Sequence, residues 1–161
     1  MNTLNTIKDS LEFVRIVSEK DICFAEKCLN SEDFFLYVGK SGLNREDFLI
    51  IKYKDRNIGI CNFKIDLRTG VKVARPILYI ALKRSVYSYF SIIALLHYLF
   101  EQESIERLEA KVYSDNKQMI SILENGFFKY EGCFKFAKVR NGDFISIYFY
   151  SMLRKEFELL K

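Results

Sequence analysis

Metal centres and disulfides are what this sequence is least equipped to build. Its four cysteines, Cys23, Cys28, Cys61 and Cys133, form no Cys-x-x-Cys pair, and the single histidine, His97, stands at no ligand spacing from any of them. That pattern argues against a zinc site, and no metal is expected. The opening residues hold no basic stretch followed by an apolar core. The most apolar helical segment carries His97 and is too short between its polar ends to span a bilayer. A cytoplasmic chain with reduced thiols and no membrane partner is the expectation. Proline occurs once, at Pro76, and the segment Lys83 to Ser88 contains no glycine. There is no internal repeat, low-complexity tract or linker, which predicts one domain over residues 1–161, with 1–10 as an N-terminal extension and 154–161 as a C-terminal tail.

What is present is apolar and aromatic. Half of the 161 residues are hydrophobic, with 15 Phe and 10 Tyr, enough for one full core and too few for two comfortable domains. The formal net charge of +4 suits anionic ligands but falls short of the concentrated basic stripe of a nucleic-acid binder, and none is expected as a partner.

The chain is organised around Ile77 to Val112. The apolar run Ile77 to Leu82 reads as a strand, Lys83 to Ser88 as a loop, Ser88 to Glu103 as a helix and Arg107 to Val112 as a further strand. Exposed N–H groups and the positive end of the helix dipole after such a loop make a site for an anion such as a pyrophosphate. Before this unit, Leu11 to Val17 reads as an opening strand. Ser18 is an N-cap for a helix running to about Asn30, and Ser31 to Asn44 form a short helix and a turn with glycines at 39 and 42. The aromatic cluster Phe34, Phe35 and Tyr37 is core or the lip of a pocket, and packing alone favours core. Asp47–Tyr53 and Ile58–Asp66 form a hairpin across Lys54 to Asn57. The turn Leu67 to Gly70 leads into Val71–Leu82, where Pro76 removes a ladder hydrogen bond and is expected to bulge or splay the strand. The helical face Ile92, Leu95, Leu96 and Leu99 points away from His97, which is expected to be solvated. After the Arg107 strand, Ser114 and Asp115 offer cap oxygens to a short helix that Asn125-Gly126 ends in the left-handed conformation. Phe127–Val139 and Phe144–Leu153 close the chain as a hairpin across Asn141-Gly142.

This order of elements resembles the GNAT superfamily of acyl-CoA-dependent N-acyltransferases. Leu123-Glu124-Asn125-Gly126-Phe127 with Glu131-Gly132 resembles the family's "LEKxGFxxEG". Arg140-Asn141-Gly142 with Tyr150-Ser151-Met152-Leu153 and Glu156 resembles the "RNGxxxDxxxYSxLxxE" ending of the branch that includes ribosomal-protein N-terminal acetyltransferases. Tyr98-Leu99-Phe100-Glu101 matches "YAFE", and Arg107 through Asn116 matches "RIxAxVxxxN". The resemblance covers about Leu11 to Glu156. It implies an α/β (α+β) fold: a mixed, mostly antiparallel central sheet of about seven strands, splayed at the centre and flanked by about four helices.

It also implies the chemistry. A neutral amine attacks a thioester carbonyl held between two splayed strands, a backbone N–H polarises that carbonyl, and a base removes the ammonium proton. The implied co-substrate is acetyl-CoA. Its site falls on Leu82, Lys83, Arg84, Ser85, Val86, Tyr87, Ser88 and Asn116. The acceptor is a small-molecule amine, an amino sugar or a peptide N-terminus, and a homodimer is left open. The departures are equally plain. The family's loop, (Arg/Gln)-x-x-Gly-x-(Gly/Ala), has no glycine here, although glycine is what permits positive φ and close phosphate approach. The family's acid tyrosine position is Leu123, the branch's serine position is Met119, and the closing strand's aspartate position is Ser146. Asn116 and Asp66 are the weak catalytic candidates, with Glu46 and Asp47 behind them, and Asn116 reads equally well as a helix-start residue bonding its own backbone. The alternative function is a non-catalytic GNAT-like domain that binds acyl-CoA or a protein partner.

Overall fold

Strand-forming runs of alternating or continuous apolar residues assemble into a seven-stranded sheet of order β1-β2-β3-β4-β5-β7-β6 in the computed structural model, which describes residues 10–38, 43–82 and 85–160. The strands are β1 (Leu11–Arg15), β2 (Leu49–Tyr53), β3 (Arg56–Arg68), β4 (Val71–Ile80), β5 (Arg107–Tyr113), β6 (Lys129–Arg140) and β7 (Asp143–Leu153). The helices among the described residues are α1 (Glu19–Leu29), α2 (Glu32–Tyr37), α3 (Ser85–His97), α4 (Lys117–Asn125) and α5 (Arg154–Glu158). The β4–β5 pair is parallel, and pairs β1–β2, β2–β3, β5–β7 and β6–β7 are antiparallel. The mixed, mostly antiparallel sheet expected from sequence is therefore present. Residues 1–9, the glycines at 39 and 42, and the loop residues Lys83 and Arg84 lie outside the described residues.

The chain divides into two compact units, Met1–Phe63 with Pro76–His97, and Lys64–Arg75 with Tyr98–Lys161. In the first, Ser18 caps α1 by accepting the Asp21 N–H at 3.1 Å, and Ser31 caps α2 by accepting the Phe34 N–H at 3.2 Å. These side chains satisfy N–H groups that a helix start leaves without partners. Ala25, Cys28, Phe34, Phe48, Ile50 and Ile60 form one buried cluster, and Ile51, Ile58 and Cys61 another. Phe34 is buried against the edges of Phe48 and Tyr79, so the aromatic run of α2 is core at that position. The β2–β3 turn is tighter than expected. Arg56 and Asn57 pair with Tyr53 and Lys52, which leaves Lys54 and Asp55 as a two-residue turn with Lys54 at φ 54°. Gly59 is required by close approach, because a Cβ there would come within 2.3 Å of the Tyr79 carbonyl oxygen.

Helix α3 corrects a boundary. It starts at Ser85 rather than near Ser88, since no glycine or proline in Ser85 to Ser88 interrupts the helical hydrogen bonds. His97 ends α3 half-buried rather than solvated, on the flank of a stripe broad enough to bury Leu95, Leu96, Leu99 and Phe100. A π turn over Tyr98–Gln102 continues it.

In the second unit, Thr69 (φ 47°) and Gly70 (φ 86°) turn β3 into β4, whose pairs with β5, Val73 with Arg107 and Ala74 with Leu108, come before Pro76, as expected of a strand that parts from its neighbour there, while the strand itself continues to Ile80. Asn141 (φ 50°) and Gly142 (φ 88°) make the mirror-image turn whose twist matches a two-residue hairpin, as their sequence predicts. Two cap assignments change. Asn116, not Ser114 or Asp115, caps α4, accepting the Met119 N–H at 3.2 Å. Gly126 lies at φ −87° and Phe127 takes the left-handed turn at φ 67°; glycine is needed at 126 because a Cβ would meet the Ile122 carbonyl oxygen at 2.8 Å. Residues 154–158 form α5, which buries Phe157 flat against Phe100.

Candidate functional site

The segment that the sequence marks for an anion is the start of α3. β4 ends at Ile80, and the Ala81 and Leu82 N–H groups both donate to the Ile58 carbonyl, at 2.9 and 3.4 Å. Leu82 is half-buried beside the Ile51 cluster. Ser85 opens a helix of 13 residues, so Val86, Tyr87 and Ser88 occupy its first turn rather than a loop. The N–H groups of a first turn have no acceptor within their own helix and point along its axis with the positive end of the dipole. Val86 is exposed, Ser88 is buried, and Tyr87 packs on Tyr53 with ring centroids 5.5 Å apart. The donor chemistry of this terminus fits a phosphate group.

Asn116 lies in the second unit, where its side-chain oxygen is spent on the Met119 N–H. The helix-start reading thus describes what its carbonyl oxygen does. Leu123 is buried on α4, and Met119 is half-buried one turn earlier.

Asp66 belongs to a charged ladder that crosses the strands. It pairs with Arg75 Nη1, and Arg75 Nε donates to Glu109 at 2.9 Å. Arg107 Nε donates to the other Glu109 oxygen at 3.0 Å, Arg107 also pairs with Glu131, and the Ser151 hydroxyl donates to Glu131 at 2.7 Å. The register explains the assembly: Arg107 and Glu109 alternate on one face of β5, and Ser151 of β7 stands opposite Glu109. The Arg75 hydrogen bond holds the Asp66 carboxyl below its ordinary pKa. Burial alone would raise Glu109, but the bonds from Arg107 and Arg75 outweigh it and lower it. Arg107 and Ser151 likewise lower Glu131. Carboxylates stabilised in this way are weak bases at neutral pH. Sequence reasoning missed the ladder; its one signal was the alternation of Arg107, Glu109 and Lys111.

The remaining candidates are engaged locally. Asp47 accepts the Asn44 N–H at 3.4 Å and Glu46 pairs with Arg45 at 3.2 Å, both in a short 3₁₀ turn. Burial pushes the Cys28 and Cys61 thiols up to about 12, which removes them as nucleophiles. Tyr150 is buried, and burial, with Glu124 accepting its hydroxyl proton at 2.9 Å, raises it to about 12. No group of His, Cys, Asp or Glu among the described residues is arranged to hold a metal.

No family model and no curated protein matches the sequence. Solved structures do match the fold. A spermidine N-acetyltransferase from Vibrio cholerae, in complex with CoA and spermine, superposes with a TM-score of 0.78 at 15% identity, over 93% of this chain and 99% of that one. A GNAT-family acetyltransferase from Bacillus anthracis gives 0.73 at 16% identity over 91% and 96%. An acetyl transferase from Salmonella typhimurium that modifies the N-terminal serine of a 50S ribosomal subunit protein gives 0.67 at 17% over 89% and 95%. The fold of this chain is that of the GNAT acetyltransferases.

Proposed function

We propose that the protein is an acyl-CoA-dependent N-acetyltransferase that transfers an acetyl group to a primary amine by direct attack. The observation that carries this reading is the 13-residue helix α3 opening at Ser85 directly behind the end of β4. It provides a row of N–H donors for a pyrophosphate next to Lys83 and Arg84 in sequence. Acetyl-CoA, when bound, supplies the activated acyl group. The chain's own part is to bind the anionic end at the α3 terminus and to hold the amine for attack. The nitrogen forms the new C–N bond, the C–S bond breaks, the ammonium proton passes to a base or water, and the thiolate leaves. Asp66 is tied to Arg75 with lowered proton affinity, so we give it no role as the base. The acceptor is a primary amine of one of three kinds: a small amine, an amino sugar or a peptide N-terminus.

Acetyl-CoA is expected to raise the thermal stability of the wild type. At a hundredfold excess over its dissociation constant, linkage requires about 2.7 kcal/mol. No shift at millimolar acetyl-CoA rejects the co-substrate.

Two replacements favour a second reading, a domain that binds acyl-CoA without transfer: Leu123 and Met119 stand where acids are found in the resembling sequences. A thiolate with a pKa of about 8.5 still leaves unprotonated near neutral pH, so a slow enzyme is expected rather than an inert one. Leu123→Tyr is then expected to raise turnover by about tenfold or more. Part of that gain is offset by overpacking at a buried position, which costs about 1–3 kcal/mol of stability. The measurement is CoA release with polyamines, amino sugars and peptide N-termini. If both proteins bind acetyl-CoA and neither exceeds its acceptor-free rate, the non-catalytic reading replaces the enzyme.

A further inference from the structure

We infer that Arg140 is a positioning residue for the co-substrate: it fixes the turn between β5 and α4 so that the Asn116 side-chain amide is held for acyl-CoA. The inference rests on the acetyltransferase reading above. Asn116 spends its side-chain oxygen on the Met119 N–H, and its backbone N–H donates to the Tyr113 carbonyl at 2.9 Å. Its side-chain nitrogen makes no hydrogen bond among the described residues. An open amide at the start of a helix donates to a carbonyl or phosphate oxygen, and acyl-CoA carries both. Because the oxygen end is fixed by the cap, the direction of that donor is set by the path of Ser114, Asp115 and Asn116.

The closing hairpin anchors that path at two successive residues. The Ser114 N–H donates to the Ser146 carbonyl of β7 at 2.9 Å, and the Ser114 hydroxyl oxygen accepts the Ser146 N–H at 3.0 Å. Asp115, next to Asn116, pairs through Oδ2 with Arg140 Nη1 from the last position of β6. The other carboxylate oxygen, Asp115 Oδ1, is buried with no hydrogen-bond partner among the described residues, so the Arg140 pair is what holds this side chain. Register brings the arginine there. Asp143, Ile145 and Ile147 alternate on one face of β7, and their partners Arg140, Lys138 and Tyr113 share that face. The Arg140 guanidinium lies 5.1 Å from the Tyr113 ring centroid and its side chain is 10% exposed. A planar guanidinium rests on a ring and presents an N–H edge to a carboxylate at the same time, which a lysine ammonium does not. Without Arg140 the carboxylate is left part-buried and unpaired; it turns to water and takes the adjoining Asn116 with it.

The test is acetyl-CoA affinity by calorimetry in a double-mutant cycle on the full chain, run below the melting temperature of the least stable variant. Asn116→Ala and Arg140→Gln are each expected to weaken binding about tenfold, as loss of one hydrogen bond does. The double variant is expected to bind no more weakly than Asn116→Ala alone, because Arg140 acts through that amide. Asp115→Asn breaks the same pair from the other side without changing its volume and is expected to match Arg140→Gln. Hydrogen exchange at the Met119 amide, followed without ligand, is expected to quicken in Arg140→Gln as the Asn116 cap loosens. A double variant weakened by the product of the single effects overturns the inference. So does Arg140→Gln or Asp115→Asn binding as tightly as the wild type, or Met119 exchange that stays the same. A wild type that binds no acetyl-CoA rejects the proposed function and with it any part of Arg140 in binding, an outcome told apart from the others by the wild type alone.

Discussion

Replacing Asp21 with alanine is expected to destabilise the chain by about 3 kcal/mol, the cost of removing one partner from a buried ion pair. Asp21 is 5% exposed in the first turn of α1. The Ser18 hydroxyl donates to one carboxylate oxygen at 2.7 Å, Asn57 Nδ2 donates to the other at 2.9 Å, and Lys52 Nζ lies 3.3 Å away. One side chain thus ties the start of α1 to both strands of the β2–β3 hairpin. Its loss leaves a buried amide and a half-buried ammonium without their acceptor. Burial alone would raise the carboxyl, but bonds from Ser18, Asn57 and Lys52 outweigh it and lower the pKa from 3.8 to about 2. A lowered folded value means stabilisation that is complete above about pH 5 and lost as pH falls toward 2, on the order of 2 kcal/mol in all. Urea unfolding from pH 7 to 2 should therefore show an acid-labile component in the wild type that is absent in Asp21→Ala. Equal pH dependence in the two proteins would remove Asp21 as its source.

The second large effect is expected at the other end of the chain. Phe157→Ala should cost about 3–5 kcal/mol, as truncation of a buried aromatic ring does. Phe157 is 3% exposed and stacks on Phe100 at 4.8 Å and 13°. Arg154 fixes the approach of the short helix: its Nη2 donates to the Phe100 and Ile105 carbonyls at 2.8 and 2.6 Å, and its Nε to Glu106 at 3.0 Å. Glu156 accepts the Leu153 N–H at 2.9 Å and closes the cap. Leu159→Ala, 87% exposed two residues further on, is the control and should change stability by less than about 0.5 kcal/mol. Similar losses in both variants would mean that α5 packs through something other than the Phe100–Phe157 stack.

Sequence by itself determined the elements whose signals are local. Asn141-Gly142 takes two positive φ angles at little cost, so the closing hairpin and the pairing beside its turn follow from two residues, whereas the two register shifts farther along β6 do not. Ser18 and Ser31 cap the helices they precede, and alternation from Arg107 to Val112 sets the faces of β5. Helix ends with weaker signals shifted. Nothing in Ser85 to Ser88 opposes helix, and the left-handed stop expected at Asn125-Gly126 falls one residue later, on Phe127, while Gly126 keeps a negative φ and is held by its approach to the Ile122 carbonyl. What only tertiary structure decided is pairing between residues far apart in the chain. Asp66, Arg75, Glu109 and Glu131 read in sequence as unrelated surface charges, yet strand order makes them one ladder that draws down the proton affinity of its carboxylates. Asp21, three residues after the Ser18 cap, becomes the acceptor for Lys52 and Asn57 because the β2–β3 hairpin folds back onto α1. Local propensity acts through neighbours three or four residues away, whereas the environment of a charge is set by whichever strands topology brings beside it.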